Sequence, residues 1–494
     1  MKAVILAGGR GERLRPLTYT RPKCMIPVAN KPIIQHVIES LKDAGIQEVM
    51  VVVGYQGDQV TGFLGEGREL GVEVAYARQD KPLGTADALL KAEELISSEE
   101  DFLVVYGDVL FGDPKAIGSM VEFHEKRGPL ATLGTCKYLG EAWKPSVYIR
   151  DDGSVEKILV ADRRPPLEPI NEGVVVPAGV FVFSREALGY VRRTPHIARH
   201  VFVGMAPPLE KDLYESVAMM AERGEDVRSF NLGIGGIVEA RGFNPLKEFD
   251  RSTCIDVDRP DDVLDALNLV VSSMARKLRG VQVEEGGKIS KDAIIEGPIY
   301  LGRRSEIIGD AYISGPCWIG KNTKILPGTR IEAGTVIGDG CVIGPHAWVK
   351  GSVGNRSVIG HCAEVEGVIM DNVYVYHYSE VSGIIGEGSD IGAGTVVGTW
   401  RFDSRYWRMR VGRVVEQVRM SGIVVGDYSR TGVNSMIMGG VKIGPFSVVG
   451  PGAIITQDVP PNKCVLVKQE LVWKDWGTWI YRQPGGAVDG KEEP

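Results

Sequence analysis

Glycine and positive charge are concentrated in one stretch near the amino terminus. Residues 6–23 read LAGGRGERLRPLTYTRPK and hold five basic residues against one acid. A glycine turn lets backbone N–H groups approach phosphate oxygens, and nearby cations neutralise the phosphate charge. Arg13 and Lys23 are separated by a path that Pro16 and Pro22 stiffen. Two cations on such a path favour a triphosphate over a single phosphate, although the glycine turn alone leaves a purely structural role open.

The charge balance of the whole chain narrows the class of ligand. The 494 residues carry 57 Lys and Arg against 64 Asp and Glu, a formal net charge of −7. A basic cluster on an acidic chain favours a small anion, because nucleic acids usually require a broad positive surface. Seven cysteines without metal-binding spacing suit a reducing compartment, and no apolar run is long enough to cross a bilayer. These features predict a cytoplasmic protein that binds neither nucleic acid nor membrane.

The elements around the basic stretch predict an α/β domain. Apolar, β-branched runs at 3–6, 49–53 and 102–106 fit buried strands. Between the first two runs, apolar residues recur at helical spacing, at Ile34, Val37, Ile38 and Leu41. This order predicts a largely parallel, Rossmann-like sheet, in which ligands bind beyond the carboxyl ends of the strands. The basic stretch begins at such an end.

The period of the sequence changes to six in the second half. Ten consecutive hexads over 293–352 all have an aliphatic third residue: Ile295, Leu301, Ile307, Ile313, Ile319, Ile325, Ile331, Ile337, Ile343 and Val349. Such hexads are typical of a parallel β-helix, in which each short strand points one aliphatic side chain inward. The register of the hexads shifts near Gly354. Residues 399–421 do not fit the hexads and are interpreted as an inserted loop.

These patterns predict the organisation of the chain. We expect an α/β domain over 1–275, a linker over 276–290, a β-helix over 291–465 and a tail over 466–494. Aromatic residues cluster in the tail, at Trp473, Trp476 and Trp479. We expect them to pack against the solenoid or a neighbouring subunit.

Five segments of the chain resemble one enzyme family, in the order that the family shows. They are LAGGRGERLRPLTYTRPKCMIPVANKPI (6–33), QDKPLGTADAL (79–89), VVYGDVLF (104–111), LEKDLY (209–214) and IDVDRPDDVLDAL (255–267). These segments resemble the sugar-1-phosphate nucleotidylyltransferases, which join a sugar 1-phosphate to a nucleoside triphosphate and release pyrophosphate. Several members carry a C-terminal left-handed β-helix. The resemblance implies a Rossmann-like nucleotidyltransferase domain followed by a left-handed parallel β-helix.

The resemblance also implies roles for individual residues. Arg13 would orient the leaving pyrophosphate, and Lys23 would neutralise charge at the α-phosphate. The nucleotide would be bound by Leu6, Ala7, Gly8, Gly9, Gln79, Gly84 and Thr85, with Gln79 at the base edge. Gln79 is about equally well interpreted as a plain surface residue.

The metal and sugar positions follow from the same resemblance. Asp108 and Asp256 would hold Mg²⁺, a cation that favours carboxylates together with substrate oxygens. Alternatively, Asp108 is a turn residue and Asp256 pairs with Arg259. Gly179 and Asp162 would lie beside the sugar.

Three positions depart from the family pattern. The family's Glu-Lys-Pro segment is Asp-Arg-Arg-Pro at 162–165, a glycine near the sugar is replaced at Ser146, and the later Asn-Ala-Gly segment begins with Pro177. The identity of the sugar and of the base therefore stays open.

Two other functions remain possible from the sequence. Translation-factor subunits of the same architecture are non-catalytic scaffolds, but they are expected to have lost the charged residues that this chain retains. One group of relatives uses the β-helix as an acetyltransferase, and His377 stands where their general base would be. The expected tyrosine falls at Glu380 and the expected asparagine at Thr399, so we predict weak or absent acetyl transfer. Related hexad domains commonly form trimers, so we expect a homo-oligomer built on trimers.

Overall fold

The computed structural model describes residues 1–96, 98–113, 115–138, 145–159, 174–198, 209–235 and 254–474. The strands of the first domain are β1 (Lys2–Ala7), β2 (Pro27–Val28), β3 (Lys31–Pro32), β4 (Glu48–Val53), β5 (Glu73–Arg78), β6 (Asp101–Tyr106), β7 (Val109–Phe111), β8 (Ala131–Tyr138), β9 (Ser146–Ile149), β10 (Val155–Leu159), β11 (Val174–Ser184), β12 (Ile197–Ala198), β13 (Leu209–Glu210), β14 (Val227–Gly235) and β15 (Cys254–Asp256). The helices are α1 (Ile33–Asp43), α2 (Gly57–Leu64), α3 (Thr85–Lys91), α4 (Glu93–Ile96), α5 (Ala116–Arg127), α6 (Leu188–Arg193), α7 (Leu213–Glu222) and α8 (Pro260–Ala275).

The central sheet of the first domain is mixed rather than largely parallel. Its strand order is β5-β4-β1-β6-β11-β8-β14-β15-β7. Strands β5, β4, β1 and β6 are parallel, as the βαβ pattern predicts. Strand β11 then runs antiparallel to β6, and β8 runs antiparallel to β11. The expectation was wrong for this half because the βαβ pattern comes from the first hundred residues, whereas β8 and β11 come from later segments.

Helices cover both faces of this sheet. Apolar side chains of α1, α5 and α8 pack on one face, and those of α3, α6 and α7 pack on the other. The predicted α1 residues Ile34, Val37, Ile38 and Leu41 are all buried. Strands β5, β4, β1 and β6 run in the same direction, so the loops that follow them lie at one edge of the sheet.

The second domain is a stack of short parallel strands. These are β16 (Val281–Val283), β17 (Lys288–Ile289), β18 (Ile294–Glu296), β19 (Ile299–Leu301), β20 (Glu306–Ile307), β21 (Tyr312–Ser314), β22 (Cys317–Ile319), β23 (Lys324–Ile325), β24 (Arg330–Ile331), β25 (Val336–Ile337), β26 (Val342–Ile343), β27 (Trp348–Val353), β28 (Val358–Ile359), β29 (Glu364–Ile369), β30 (Tyr374–Val375), β31 (Glu380–Ile385), β32 (Asp390–Ile391), β33 (Val396–Gly398), β36 (Ile423–Val425), β37 (Arg430–Thr431), β38 (Met436–Met438), β39 (Lys442–Ile443), β40 (Val448–Val449), β41 (Ile454–Ile455) and β42 (Cys464–Val465). Pairing already starts at β16 and β17, inside the range that the sequence assigns to a linker.

The hexad residues form the interior of this stack. Nine of the ten predicted aliphatic positions, from Leu301 to Val349, are buried, and Ile295 in an end coil is partly exposed. Each coil contributes strands to three faces, for example β19, β20 and β21. This arrangement confirms the predicted β-helix.

A row of glycines explains the shift of register near Gly354. Ile307, Ile325 and Ile343 follow at eighteen-residue intervals, whereas from Ile343 to Ile391 the interval is sixteen. The shorter coils turn one corner at Gly351, Gly367 and Gly383, whose φ angles are +123°, +123° and +127°. A Cβ atom on Gly367 would lie 2.1 Å from the carbonyl oxygen of Gly383. Only glycine fits this corner, because both φ and the stacking distance exclude a side chain.

The inserted loop of the second domain is a β-hairpin that packs on the first domain. Its strands are β34 (Arg408–Val411) and β35 (Val414–Gln417), which pair antiparallel. Met409, Val411, Val418 and Met420 are buried in the same apolar cluster as α1 and α8. The sequence predicts the insertion but not its docking.

No helix in the described ranges is long and apolar enough to span a membrane. In the predicted tail, Trp473 is 88% exposed. Trp476 and Trp479 lie outside the described residues.

Candidate active site

The glycine loop follows β1 directly and contacts the loop that follows β4. The carbonyl oxygen of Gly8 accepts a hydrogen bond from Tyr55 N (3.3 Å). Gly11 has a φ of +58°, and a Cβ atom there would lie 3.0 Å from Thr18 and 3.1 Å from the Cβ of Lys23. Glycine is therefore required at this turn by its φ angle and by the close approach of Lys23. The preceding pair, Leu6 and Ala7, ends β1, and Leu6 O accepts from Gly107 N (3.0 Å).

A cleft of about 190 Å³ opens beside this loop, at the ends of β1, β4 and β5. Its lining residues are Gly8, Arg10, Gly54, Tyr55, Arg78, Gln79, Asp80 and Pro82. Gly9, the other glycine of this loop that is assigned to the nucleotide, is exposed. The cleft combines backbone N–H groups, two arginines and a buried amide, which suits an anionic ligand with a polar ring.

Gln79 occupies the floor of the cleft. It is buried, and its Nε2 donates to Gly84 O (3.0 Å) and to Asp87 Oδ2 (2.8 Å). Its Oε1 would lie 3.3 Å from a Cβ atom at Gly8. Because both amide hydrogens are used inside the protein, the orientation of the side chain is fixed. The surface alternative for Gln79 is therefore wrong.

Gly84 and Thr85 hold the neighbouring backbone. Gly84 has a φ of +100°, and a Cβ atom would lie 2.0 Å from Lys211 O. Thr85 Oγ1 accepts a hydrogen bond from Leu213 N (3.0 Å). Two of the recognised segments, QDKPLGTADAL and LEKDLY, are thus packed against each other, and the structure gives both residues a structural role beside the cleft.

Lys23 lies at the centre of a group of carboxylates. Its Nζ is 2.6 Å from Asp108 Oδ2, 2.7 Å from Asp258 Oδ1 and 3.4 Å from Asp256 Oδ1. Burial alone would lower the pKa of Lys23, but these carboxylates outweigh burial and raise it well above its usual value. The ammonium is therefore held in its charged form, as phosphate neutralisation requires.

Asp108 and Asp256 come together through strand pairing. Asp256 ends β15 opposite Val109 of β7, and Val257 N donates to Asp108 O (3.0 Å). Burial, together with the nearby Asp256 and Asp258, raises the pKa of Asp108 to about 6 although Lys23 lowers it. The alternative that Asp108 is only a turn residue does not account for its contact with Lys23.

Asp258 is a site residue that the sequence analysis missed. It contacts both predicted cations, through Oδ1 to Lys23 and through Oδ2 to Arg13 NH1 (3.4 Å). The pKa of Arg13 is raised chiefly by Asp258. The signal in the sequence was the Asp-Val-Asp spacing of IDVDRP, since residues two apart at a strand end point to the same side.

The residues of this centre fit a divalent cation. Asp108 Oδ1 is buried and has no hydrogen-bond partner among the described residues, although a buried carboxylate oxygen normally has one. No cluster of three or more metal-binding side chains in metal-ligand geometry occurs in the part of the chain that the structure describes. Mg²⁺ commonly takes only one or two carboxylates and completes its shell with substrate oxygens. The carboxylates of Asp108 and Asp256 match this donor set.

Of the two predicted sugar residues, one is described. Gly179 lies in β11 with a φ of +71°, and a Cβ atom there would be 3.0 Å from Tyr106 and from Val109. This places Gly179 next to the turn that carries Asp108. Asp162 lies outside the described residues.

His377, the possible second site, lies on the surface of the β-helix. Its ring stacks on His361 with centroids 5.1 Å apart and contacts the exposed Tyr378 edge-on. Glu380 is also exposed, and Thr399 O accepts from Trp407 Nε1 (2.9 Å) at the start of the insertion. No buried carboxylate or amide partner of the His377 ring is found among the described residues.

Comparisons with known proteins agree with this architecture. A family model described as nucleotidyl transferase matches residues 2–157, and a model described as bacterial transferase hexapeptide (six repeats) matches residues 316–351. The chain joins a nucleotidyl transferase domain to hexapeptide repeats. The predicted fold class and the predicted resemblance are thereby confirmed.

Two relatives are similar to this chain over nearly their whole length, and a third over about half of its own. The "Bifunctional protein GlmU" of Methanococcus maripaludis is 29% identical over 96% of this chain and 98% of its own. A "Bifunctional sugar-1-phosphate nucleotidylyltransferase/acetyltransferase" of Sulfurisphaera tokodaii is 27% identical over 93% of this chain and 98% of its own. The "Mannose-1-phosphate guanylyltransferase catalytic subunit beta" of Drosophila pseudoobscura pseudoobscura is 35% identical over 43% of this chain and 56% of its own. Of these three names, the second specifies a sugar 1-phosphate and the third mannose 1-phosphate.

Proposed function

We propose that the protein is a sugar-1-phosphate nucleotidylyltransferase, which makes a nucleoside diphosphate sugar and pyrophosphate. The observation that carries this proposal is the buried Lys23, held in its charged form by Asp108, Asp256 and Asp258 beside the glycine loop. The scaffold alternative does not account for this group. Three carboxylates around one lysine, with Asp108 Oδ1 buried and lacking a hydrogen bond among the described residues, are costly to keep without a function.

The chemistry that this site supports is positioning and neutralisation of charge. A sugar phosphate oxygen forms a bond to the α-phosphorus while the bond from that phosphorus to the β-phosphate oxygen breaks, so pyrophosphate leaves and no protein nucleophile is needed. Lys23 offsets the negative charge that two approaching phosphates concentrate. Arg13, which contacts Asp258, would bind the departing pyrophosphate. The glycine loop and Gln79 hold the nucleotide.

Mg²⁺ is the cation that we propose for Asp108 and Asp256. A bound divalent cation would supply Lewis-acid stabilisation of the phosphate oxygens. The two carboxylates would fix its position, and the Asp108 oxygen without a partner would become a ligand.

A second activity, acetyl transfer, has a weaker basis. Two of the relatives named above are called bifunctional. By the family resemblance, His377 stands where the general base of the acetylating members would be. However, an exposed imidazole without an orienting partner is a poor general base, because neither its tautomer nor its direction is fixed. We therefore propose that acetyl transfer is weak or absent in this protein.

The proposal is tested by incubating the purified protein with Mg²⁺ and a matrix of sugar 1-phosphates and nucleoside triphosphates. We expect pyrophosphate release only when both substrates are present, and the productive pair identifies the sugar and the base. Omitting the sugar is the matched control. Robust triphosphate hydrolysis without sugar, or no turnover with any pair, would contradict the assignment.

The assembly and the location of the protein remain proposals. Hexapeptide domains commonly associate through their flat faces, so we propose a homo-oligomer built on trimers. Sedimentation of the full chain as a monomer at micromolar concentration would contradict it. The cytoplasmic location expected from the sequence stays a prediction.

A further inference from the structure

The insertion of the second domain reaches the nucleotidyl site. At the tip of its hairpin, Gly412 has a φ of +60°, and a Cβ atom there would lie 3.4 Å from Arg13 Cγ. The base of the same insertion carries Arg419, whose guanidinium contacts the first turns of α8. Because α8 begins directly after Asp256 and Asp258, both ends of the insertion meet elements of the site.

Arg419 connects three carboxylates at the start of α8. Its guanidinium is 3.3 Å from Asp261 Oδ2, 3.2 Å from Asp262 Oδ1 and 2.7 Å from Asp265 Oδ2. Its backbone N–H also donates to Asp261 Oδ2 (3.2 Å). Asp261 is buried. Three carboxylates this close would repel one another without a cation. Arg259 Nε lies 3.2 Å from Asp261 Oδ1, and Arg419 is the cation that contacts all three carboxylates.

Asp262 connects Arg419 to Asp258 of the site. While Oδ1 faces Arg419, Oδ2 accepts hydrogen bonds from Asp258 N (2.9 Å) and Arg259 N (2.8 Å). Asp258 in turn contacts Lys23 and Arg13. Asp262 therefore fixes the backbone of the residue that bridges the two cations of the site.

Arg259, directly before α8, makes further contacts with the insertion. Arg259 NH2 donates to Gln417 O of β35 (2.8 Å), and its NH1 lies 3.6 Å from Glu416. The segment 258–262 thus has contacts to the insertion on one side and to the catalytic cations on the other.

We propose that Arg419 is a positioning residue for nucleotidyl transfer, acting from the second domain through Asp262 on Asp258. This inference rests on the proposed function of the first domain. It implies that the β-helix is part of the catalytic apparatus rather than only an assembly module.

The test compares three single variants and one double variant of the full chain. Asp265→Ala is the matched control, because it removes the shortest carboxylate contact of Arg419 but leaves the Asp262 link in place. We expect Arg419→Ala and Asp262→Ala each to lower kcat about tenfold or more, and the double variant to be no worse than the poorer single one. We expect Asp265→Ala to stay within about threefold of wild type.

Two readouts separate positioning from general destabilisation. The KM for the nucleoside triphosphate should change less than kcat, because the cleft around Gly8 and Gln79 has no contact with Arg419 in the described structure. Thermal midpoints are measured for all variants. We expect Arg419→Ala to have a lower midpoint than Asp265→Ala, because it removes the cation that faces three carboxylates, so kcat and KM are compared well below every midpoint.

Three outcomes would overturn the inference. Arg419→Ala with wild-type kcat would show that Asp258 needs no support from the second domain. Loss of kcat in Asp265→Ala equal to that in Arg419→Ala would reduce the role of Arg419 to docking. No pyrophosphate release by the wild-type chain with any substrate pair would refute the proposed function itself, and this inference with it.

Discussion

The centre around Lys23 and the surface around His377 are the two places where the sequence predicts chemistry, and they are built differently. Lys23 is buried and contacts three carboxylates within 3.4 Å. His377 is exposed, and the ring contacts described for it are with His361 and Tyr378. Among the described residues, Lys23 is held by charged partners, whereas the His377 imidazole is held by ring contacts.

This difference teaches that position within a family motif is insufficient for a catalytic assignment. A charged group in a low-dielectric interior acts strongly on a reacting phosphate, because solvent does not screen it. An exposed ring gains no such advantage. The variants below test this contrast, in order of decreasing expected effect.

Lys23→Ala should have the largest effect. We expect turnover to fall by several orders of magnitude, because the substitution removes the positive charge that faces the phosphates and the surrounding carboxylates. Lys31→Ala is the matched control, since Lys31 is exposed and pairs with Glu39. The measurement is pyrophosphate release, with circular dichroism to verify the fold. Near wild-type turnover in Lys23→Ala would remove Lys23 from the site.

Asp258→Asn tests the residue that the sequence analysis missed. We expect turnover to fall about ten- to a hundredfold, because a neutral amide no longer holds Lys23 and Arg13 in their relative positions. Asp390→Asn serves as control, since Asp390 pairs with Arg430 on the surface of the β-helix. Equal turnover in the two variants would show that Asp258 is dispensable.

Lys442 tests how burial changes the pKa of a lysine and, through that pKa, the stability of the protein. Lys442 is buried at the junction of the domains, where its Nζ donates to Arg15 O (2.7 Å), and burial lowers its pKa to about 8 despite Asp458. Between about pH 8 and the ordinary lysine pKa of about 10.4, the unfolded chain binds this proton and the folded chain does not, so stability rises with pH. We expect this rise to be on the order of 2 kcal/mol and to be absent in Lys442→Met.

Urea unfolding of the wild-type protein and of Lys442→Met is measured at pH 7.5 and at pH 10, at the temperature of the pyrophosphate-release assay. Lys324→Met, at an exposed lysine of the same solenoid, is the control and should keep the wild-type pH dependence. An unchanged pH dependence in Lys442→Met would mean that Lys442 stays protonated in the folded protein throughout.

His377→Ala should have the smallest effect. We expect no change in pyrophosphate release, because the His377 ring has no contact with the first domain in the described structure. We also expect little thiol release from acetyl-CoA with glucosamine 1-phosphate or galactosamine 1-phosphate in the wild-type protein. Thiol release at a rate near that of nucleotidyl transfer, abolished in His377→Ala, would establish a second active site. It would also show that the exposed His377 is catalytic.

The sequence predicts periodic features well. The ten hexads and the first βαβ unit are local patterns, so the β-helix, α1 and three of the four parallel strands, β1, β4 and β6, follow from them. The mixed half of the sheet does not, because strand direction there depends on pairing between distant segments. The corner glycines at 351, 367 and 383 are visible in the sequence, but only the stacked carbonyl groups show why glycine is required.

The same distinction applies to the candidate site. Lys23, Asp108 and Asp256 were predicted through the family resemblance, and the structure brings them together. Arg21 belongs to the same basic stretch, yet its guanidinium leaves the site and contacts Asp427 (2.5 Å) and Glu387 (3.1 Å) of the second domain. Its partners are separated from it by about four hundred residues, so no local pattern could have assigned it. The positive charge of the opening stretch therefore serves both the site and the domain interface.

The hairpin insertion leaves the stacking of the coils undisturbed. Asp390 and Ile391 of β32 pair directly with Arg430 and Thr431 of β37, although forty residues separate them instead of sixteen or eighteen. The insertion is therefore a side branch of one coil, and changes in its length or sequence need not alter any strand pairing of the solenoid. Over evolution, a chain built this way can strengthen, weaken or lose the contact between its two domains while the shape of its β-helix is inherited unchanged.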